Sequence, residues 1–230
     1  MRARAFYMCL TALLSAIGSA RGQTEPVCLV QCGEKQAESE CLAAAGRVAE
    51  RKGDTLTLGF ADGKKATLKS NEKACARDDA DHCAKYVLTA YLCEPKLIFV
   101  EARGYESRHY VVYSQTTGAK VDIQGDPKFS PDHRRIIVAE EGSDDQAFVI
   151  WNLSKDPVQK EYYHDFYADE SEVEQGTWQL VGWMDSERLK FRYEGQADQQ
   201  IVWGRKPRYA AGDYYLRFLD GKWSLSGKPK

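Results

Sequence analysis

Short runs of apolar, β-favouring residues, some of them alternating with polar residues, occupy most of this chain from residue 54 onward, and this pattern constrains the fold more than any other feature. The runs are rich in Val, Ile, Tyr, Phe and Trp, which strands favour, and Gly, Asn, Asp and Pro separate them. Asp-Gly pairs at 62–63 and 220–221 favour tight hairpins. The predicted strands are TLTLGF, KKATLK, YVLTAYL, KLIFVEA, RHYVVYS, RRIIVAE, AFVIWNL, TWQLVGW, RLKFRYE, QQIVWGR, YYLRFL and KWSLS. The chain is therefore predicted to be mainly β.

One short helix is predicted near the N-terminus, over residues 33–51. Small and apolar residues recur there at spacings of three and four, as on one face of a helix. These residues are Ala37, Cys41, Leu42, Ala45 and Val48. Gly53 follows at the position that a C-terminal capping glycine would take.

Three later segments share one order of features, namely an aromatic residue, a polar turn, an apolar strand, a loop and a second strand. Their aromatic residues are Tyr91, Phe129 and Trp183, which are 38 and 54 residues apart. Self-similarity at roughly 40 to 50 residues, with several strands in each unit, is typical of propeller repeats.

The second of these segments, residues 127–153, resembles a blade of the bacterial TolB-type and WD40-like β-propellers, the PD40-like repeat. Those blades carry a Phe-Ser-Pro-Asp-Gly turn; here residues 129–132 match it and His133 replaces the glycine. Histidine adopts the left-handed backbone of that position only at a cost. The resemblance implies propeller-like antiparallel repeats. Because the chain has room for about four blades, a partial propeller, a four-bladed ring and a curved open sheet all remain possible.

The first 22 residues have the pattern of a secretory signal. Arg2 and Arg4 precede an apolar run over 5–17, and cleavage after Ala20 or Gly22 fits the small residues there. This run is too short for a bilayer span, which needs about 20 residues. We expect a periplasmic or secreted protein with no membrane span after cleavage. The expected organisation is a signal over 1–22, a cysteine-containing segment with the short helix over 23–53, and a β-repeat domain over 54–230.

The cysteines favour the same compartment. Cys9 would leave with the signal, and an even number would remain, namely Cys28, Cys32, Cys41, Cys75, Cys83 and Cys93. An even count in an exported chain favours disulfide bonds, and the spacings match neither paired zinc knuckles nor a redox C-x-x-C. We expect bonds from the N-terminal segment to Cys75, Cys83 or Cys93, and allow for one local loop closure.

The charge is negative and unevenly distributed. Without residues 1–22 the net charge is −5, residues 140–174 carry −9 and residues 188–230 carry +6. The excess of acid argues against nucleic-acid binding. The asymmetry can steer a charged partner, but solvated loops of alternating sign give the same pattern.

No catalytic motif is present, since the chain contains neither G-x-S-x-G nor H-E-x-x-H. The histidines, His82, His109, His133 and His164, are far apart in sequence. A hydrolase site assembled from scattered histidines and carboxylates remains an alternative. The interpretation leans away from an enzyme.

Two acidic loops, 78–82 and 164–172, offer several oxygen ligands for calcium. Neither has the glycine and terminal glutamate of an EF-hand loop. No cofactor is predicted, and a calcium-stabilised structural protein is a further alternative.

The preferred interaction surface is an aromatic and acidic loop over 162–174. Its candidate residues are Tyr162, Tyr163, Asp165, Phe166, Tyr167, Asp169, Glu170 and Glu172. Such loops occur at protein-binding surfaces and also as plain loop anchors. The leading hypothesis is a non-catalytic binding module outside the cytoplasm, whose partner is an unknown protein or envelope component.

Overall fold

The computed structural model describes residues 29–32, 38–141, 146–165, 176–195 and 209–227. In these ranges the chain is mainly β, as predicted, with four antiparallel sheets, none of which closes on itself. Two short α-helices are present, so the prediction of a single helix is wrong. The predicted strand QQIVWGR lies outside the described residues.

The elements follow one another along the chain in a simple order. The helices are α1 (Glu38–Ala45) and α2 (Glu72–Cys75). The strands are β1 (Leu29–Gln31), β2 (Ala49–Lys52), β3 (Thr55–Gly59), β4 (Lys65–Lys69), β5 (Lys85–Leu92), β6 (Leu97–Arg103), β7 (Arg108–Ser114), β8 (Lys120–Gln124), β9 (Lys128–Phe129), β10 (Arg135–Glu141), β11 (Gln146–Asn152), β12 (Gln159–Asp165), β13 (Gly176–Asp185), β14 (Arg188–Gly195), β15 (Gly212–Leu219) and β16 (Lys222–Ser226).

Each sheet is built from strands that are consecutive, or nearly so, in the chain. Sheet I has the order β2-β3-β4, sheet II β1-β5-β6-β7-β8, sheet III β12-β11-β10-β9 and sheet IV β13-β14-β15-β16. The one strand added out of order is β1, which pairs with the free edge of β5 in the register Leu29↔Leu92. The N-terminal segment is thereby tied to sheet II.

The N-terminal helix is shorter than the predicted span of 33–51. A 3-10 turn, Gly46–Val48, follows α1, and Gly46 has the left-handed φ of +57° that ends many helices. The chain then pairs in β2 with β3, and Gly53 lies in the turn between these strands. Residues 33–37 lie outside the described part of the chain.

Both Asp-Gly pairs form the hairpin turns that the sequence predicts. Gly63 has a φ of +82° between β3 and β4, and the carboxylate of Asp62 accepts a hydrogen bond from the Lys64 backbone N–H at 2.9 Å. Between β15 and β16, Asp220 and Gly221 both have positive φ, of +50° and +77°. Two successive left-handed residues match the twist of the flanking strands.

The three aromatic residues of the repeated pattern occupy corresponding positions. Each lies directly opposite a fully buried aliphatic residue of the following strand, in the pairs Tyr91↔Ile98, Phe129↔Ile136 and Trp183↔Leu189. The repeated order of features in the sequence therefore corresponds to a repeated hairpin in sheets II, III and IV.

Three apolar layers join the sheets face to face in chain order. Successive strand residues point to opposite faces, so sheets II and III each contribute to two layers. The layer between I and II contains Leu56, Leu58, Ile98 and Val100, that between II and III contains Phe99, Val112, Ile136 and Val138, and that between III and IV contains Ile137, Ile150, Leu189 and Phe191.

The outward faces of the first and last sheets are polar where the structure describes them. On β4 the side chains that alternate with the core residues include Lys65 and Lys69, both exposed. On β14 they include Arg188 and Arg192, also exposed, and the half-buried Lys190. Both faces carry basic side chains. Those of β14 pair with Asp185 and Asp213, and the same face of sheet IV also has the exposed Leu219.

One arginine ties sheet III to sheet IV beside the apolar layer. Arg135 donates from Nε and Nη2 to the Glu161 carboxylate at 2.6 and 3.2 Å, and from Nη1 to the Ser186 carbonyl at 3.4 Å. Its guanidinium carbon lies 4.3 Å from the Phe218 ring centroid. The side chains of Arg135 and Glu161 are only 12% and 16% exposed.

The described disulfide bonds are both local. Cys32 pairs with Cys41 and Cys75 with Cys83. The expectation that Cys75 or Cys83 would bond the N-terminal segment is therefore wrong, whereas local loop closure, which the sequence left open for one loop, is present. The reason is that the antiparallel pairing of β1 with β5 already holds the N-terminal segment on sheet II, and α1 returns Cys41 to within a Cα–Cα distance of 5.9 Å of Cys32. Cys93 is disulfide-bonded as well, and Cys28 lies outside the described residues.

Replacing His133 by glycine is expected to raise the free energy of unfolding by up to about 1 kcal/mol. His133 has a φ of +55°, the left-handed conformation expected where related turns have glycine. Glycine removes the clash of the β-carbon at the cost of some chain entropy. The measurement is urea unfolding.

The matched control is His133→Ala. Alanine keeps the β-carbon and loses the ring contact with Phe129, whose centroid lies 6.3 Å from that of His133. The alanine variant should be the less stable of the two. Equal stabilities would show that the backbone at this position is not strained.

Candidate functional site

A cleft of about 1080 Å³ lies on the side of sheet II that is turned towards sheet III. Gln31 and Cys32, at the end of β1, border it on one side, and Pro127 and Phe129 border it on the other. Its wall is formed by β5, β6 and β7. In β5 the pairing with β6 shifts between Leu88 and Ala90, so Thr89 is an extra residue at the wall.

A buried carboxylate lies at the centre of this wall. The Glu101 side chain is 3% exposed, and Arg103 grips it with two parallel hydrogen bonds, Nε to Oε1 at 2.6 Å and Nη2 to Oε2 at 2.8 Å. Nε of Arg108 also donates to Oε1. A buried charge is tolerated when it is paired and hydrogen-bonded in this way.

Arg108 extends the cluster to a second carboxylate. Its Nη2 donates to the Tyr110 hydroxyl at 2.8 Å and lies 3.1 Å from Oδ1 of Asp126. The Tyr110 hydroxyl in turn donates to Oδ1 of Asp126 at 2.9 Å. Two carboxylates, two guanidinium groups and one phenol therefore form a continuous network along the cleft.

Strand geometry explains why these residues meet. Alternate residues of β6 share a face, so Phe99, Glu101 and Arg103 all point to the cleft. In the antiparallel register Glu101 lies opposite Tyr110, and Arg103 opposite Arg108. The network thus follows from the pairing of β6 with β7.

The backbone at Gly125 lies close to that of Ala139, and this contact places Asp126 at the cleft. Gly125 has a φ of +86°, and a β-carbon there would lie only 2.1 Å from the Ala139 carbonyl oxygen. Only glycine fits this position. It lets the chain cross from β8 to β9 against β10, which places Asp126 beside Arg108.

The network sets the charge of its members. Burial alone would raise the pKa of Glu101, but the hydrogen bonds and positive charges of Arg103 and Arg108 outweigh burial and hold that pKa below its usual range. Burial, followed by the hydrogen bond to the Asp126 carboxylate, raises the pKa of Tyr110. At neutral pH the site therefore contains an ionised Glu101 and a neutral Tyr110.

The predicted interaction loop over 162–174 is in part a strand. Tyr162, Tyr163 and Asp165 belong to β12, because this segment pairs with β11 in the register Tyr162↔Ile150. Tyr162 packs into the layer between sheets III and IV, whereas Tyr163 is 49% exposed. Phe166, Tyr167, Asp169, Glu170 and Glu172 lie outside the described residues.

The structure does not bring the four histidines into the cleft. His82 lies in the loop closed by the Cys75–Cys83 bond, with its Nδ1 2.9 Å from the Asp79 carboxylate, and His133 lies in the turn before β10. His109 is on β7 and His164 on β12. Within the described ranges, no group of three or more His, Cys, Asp or Glu could hold a metal ion, the loop at 78–82 included.

The chain matches no protein-family model, no curated protein and no solved structure at a significant level. The resemblance of residues 127–153 to a propeller blade therefore rests on the sequence motif alone.

Proposed function

We propose that this chain is an exported, non-catalytic binding module on an open, propeller-like stack of four sheets, with the cleft on sheet II as its ligand site. The observation that carries the proposal is the cleft itself, with the buried and fully paired Glu101 in its wall. Polar groups held rigidly in a concave site next to apolar side chains are the usual features of a ligand pocket.

The arrangement of the sheets supports the propeller-like part of the proposal. Antiparallel sheets stack face to face in chain order, and aromatic residues recur at corresponding positions. Closing a ring would bury exposed charged side chains on the outward faces of sheets I and IV, such as Lys65, Lys69 and Arg192, and this cost favours an open stack. Polar terminal faces also keep open repeat stacks soluble.

The disulfide bonds support export. The pairs Cys32–Cys41 and Cys75–Cys83 are compatible with an oxidising compartment. Together with the predicted signal over 1–22, these pairs favour the periplasm or the extracellular space. No helix in the described part of the chain is long and apolar enough to cross a membrane.

The composition of the cleft supports binding over hydrolysis. None of its lining residues is a serine or a histidine, and Cys32 is oxidised. The Thr89 hydroxyl donates to the Phe99 carbonyl at 3.3 Å. This lining therefore holds no serine, threonine or cysteine nucleophile beside a base.

Filling the cleft is expected to abolish ligand binding without unfolding the protein. Val87 lines the cleft and is half-buried, so Val87→Trp places a large side chain in it. The measurement is ligand-observed NMR of the mature protein against a library of small fragments. Fragments that bind the native protein should lose binding in the variant.

The matched control is Val181→Trp, because Val181 is 55% exposed on β13 and does not line the cleft. It should keep the fragment profile of the native protein. The proposal is wrong if Val87→Trp folds and leaves that profile unchanged, or if the mature protein hydrolyses generic ester, phosphate or glycoside substrates and Val87→Trp abolishes the turnover.

A further inference from the structure

We infer that the cleft takes a carboxylate attached to an apolar group, and that Arg103 is the residue that binds the carboxylate. The inference deepens the proposed function and rests on it. It depends on three observations, which are the unused hydrogen-bond donors of Arg103, the buried Glu101 that orients them and the aromatic side chains alongside.

Arg103 has side-chain N–H groups that make no hydrogen bond within the described part of the protein. A guanidinium group has five N–H bonds, and Arg103 gives two of them to Glu101. The other three, two of them on Nη1, have no protein acceptor among the described residues. The side chain is 42% exposed and lines the cleft, so these donors are accessible to a ligand.

Arg103 is also the cation of this cleft best placed to receive an anion. Each of the three side-chain nitrogens of Arg108 bonds a protein acceptor, on Glu101, Asp126 or Tyr110, whereas Nη1 of Arg103 bonds none among the described residues. Lys85 lies 3.1 Å from the Glu72 carboxylate.

Glu38, which also lines the cleft, already has hydrogen-bond partners for its carboxylate. Glu38 accepts two hydrogen bonds from Arg51, at 2.5 and 2.7 Å, and a third from the Leu88 backbone N–H at 2.7 Å. An incoming carboxylate therefore meets no unpaired acid there.

Glu101 fixes the orientation of the Arg103 guanidinium. The two parallel bonds hold the planar group by one edge, and the carboxylate that makes them is buried in a sheet. The free edge is therefore presented without the rotamer cost that an unrestrained arginine carries on binding. Charge-assisted, bidentate hydrogen bonds to carboxylate are the strongest that this geometry offers.

The apolar requirement comes from the accessible apolar side chains of the cleft. Val87, Pro127 and the half-buried Phe129 line it, and Phe129 is held edge to face against the fully buried Phe99, with ring centroids 5.1 Å apart. The body of a ligand bound at Arg103 would lie along Val87, Pro127 and Phe129. An organic acid with an aromatic or aliphatic body, or the C-terminal residue of a peptide, has this chemistry.

The test compares 3-phenylpropionate with 3-phenylpropanamide by isothermal titration calorimetry on the mature protein. The acid should bind about tenfold more tightly than the amide, because only the acid makes charge-assisted bonds. Arg103→Gln should remove this preference, weakening the acid about tenfold and leaving the amide unchanged.

Two further variants keep the test decisive. Arg134→Gln, at an exposed turn position outside the cleft, should leave both affinities unchanged. If Arg103→Gln does not fold, Arg103→Lys keeps the positive charge, loses the planar fork and should reduce the preference for the acid. A short peptide ending in phenylalanine, with a free or an amidated C-terminus, separates a peptide ligand from a free acid.

The inference is overturned if acid and amide bind equally, or if Arg103→Gln folds and leaves the preference for the acid intact. In either case, loss of fragment binding in Val87→Trp would still support the cleft as a ligand site. Fragment binding that survives in Val87→Trp would contradict the proposed function itself.

Discussion

Replacing Arg103 and Arg108 together by glutamine is expected to lower the free energy of unfolding by about 3–5 kcal/mol at pH 7. Both arginines bond the Glu101 carboxylate, whose side chain is 3% exposed. The double replacement leaves that charge buried with no counter-charge bonded to it. The cost is the desolvation of the charge, which the lost ion pairs no longer offset.

The pH dependence of stability should change sign in the same variant. In the native protein the pKa of Glu101 lies below that of the unfolded chain, about 4.3, so the stability it contributes is complete above that pH and is lost as the pH falls through the folded pKa. Without the arginines, burial raises the folded pKa. The contribution of Glu101 to stability should then be largest in acid and fall as the pH rises through that pKa.

A triple variant is the control for both effects. Adding Glu101→Gln to the double variant removes the buried charge, so most of the lost stability should return and the inverted pH dependence should disappear. Urea unfolding between pH 4 and pH 8 measures all three proteins. A double variant that is no less stable than the triple variant at pH 7 would show that Glu101 is not effectively buried.

The strands and hairpins could be predicted from the sequence because their causes are local. Short apolar runs of β-favouring residues in KLIFVEA and RHYVVYS identified β6 and β7, and the Asp-Gly pairs identified two turns. The helix was predicted too long, since periodicity alone could not show that residues 49–52 would pair with β3. A pairing partner outweighs a weak helical pattern.

The candidate cleft could not be predicted because its parts meet only through long-range pairing. Glu101 is one polar position in an apolar run, and nothing local distinguishes a buried carboxylate from an exposed one. A usable signal was present: one acid in KLIFVEAR, followed at the second and seventh positions by Arg103 and Arg108. Those spacings place all three on one face of a hairpin once β6 pairs with β7.

For residues 162–165 a binding loop was expected, whereas the structure has a strand. Tyrosines beside acidic residues suggested a loop, but Tyr162 lies opposite Ile150 and packs between sheets III and IV. Whether such a residue is exposed depends on a strand register that the segment itself does not reveal.

The second large effect is expected at the junction of sheets III and IV. Arg135→Met should lower the free energy of unfolding by about 3 kcal/mol. The variant leaves Glu161, 16% exposed, without its counter-charge, and it removes the cation from the face of Phe218. Methionine keeps an apolar stem of similar length, so the loss reports the guanidinium group and not an empty space.

Three comparisons test whether Arg135 acts through that group. Arg134→Met, at the exposed neighbouring position, should change stability by less than about 0.5 kcal/mol, and Arg135→Lys should fall between the two methionine variants. Combining Arg135→Met with Glu161→Gln should cost less than the two single changes added together, because each alone breaks the same pair. Amide hydrogen exchange in β15 and β16 should accelerate in Arg135→Met, since Phe218 and Trp223 lose the guanidinium against which they pack.

Equal stabilities of Arg134→Met and Arg135→Met would mean that the apolar layer alone holds sheets III and IV together.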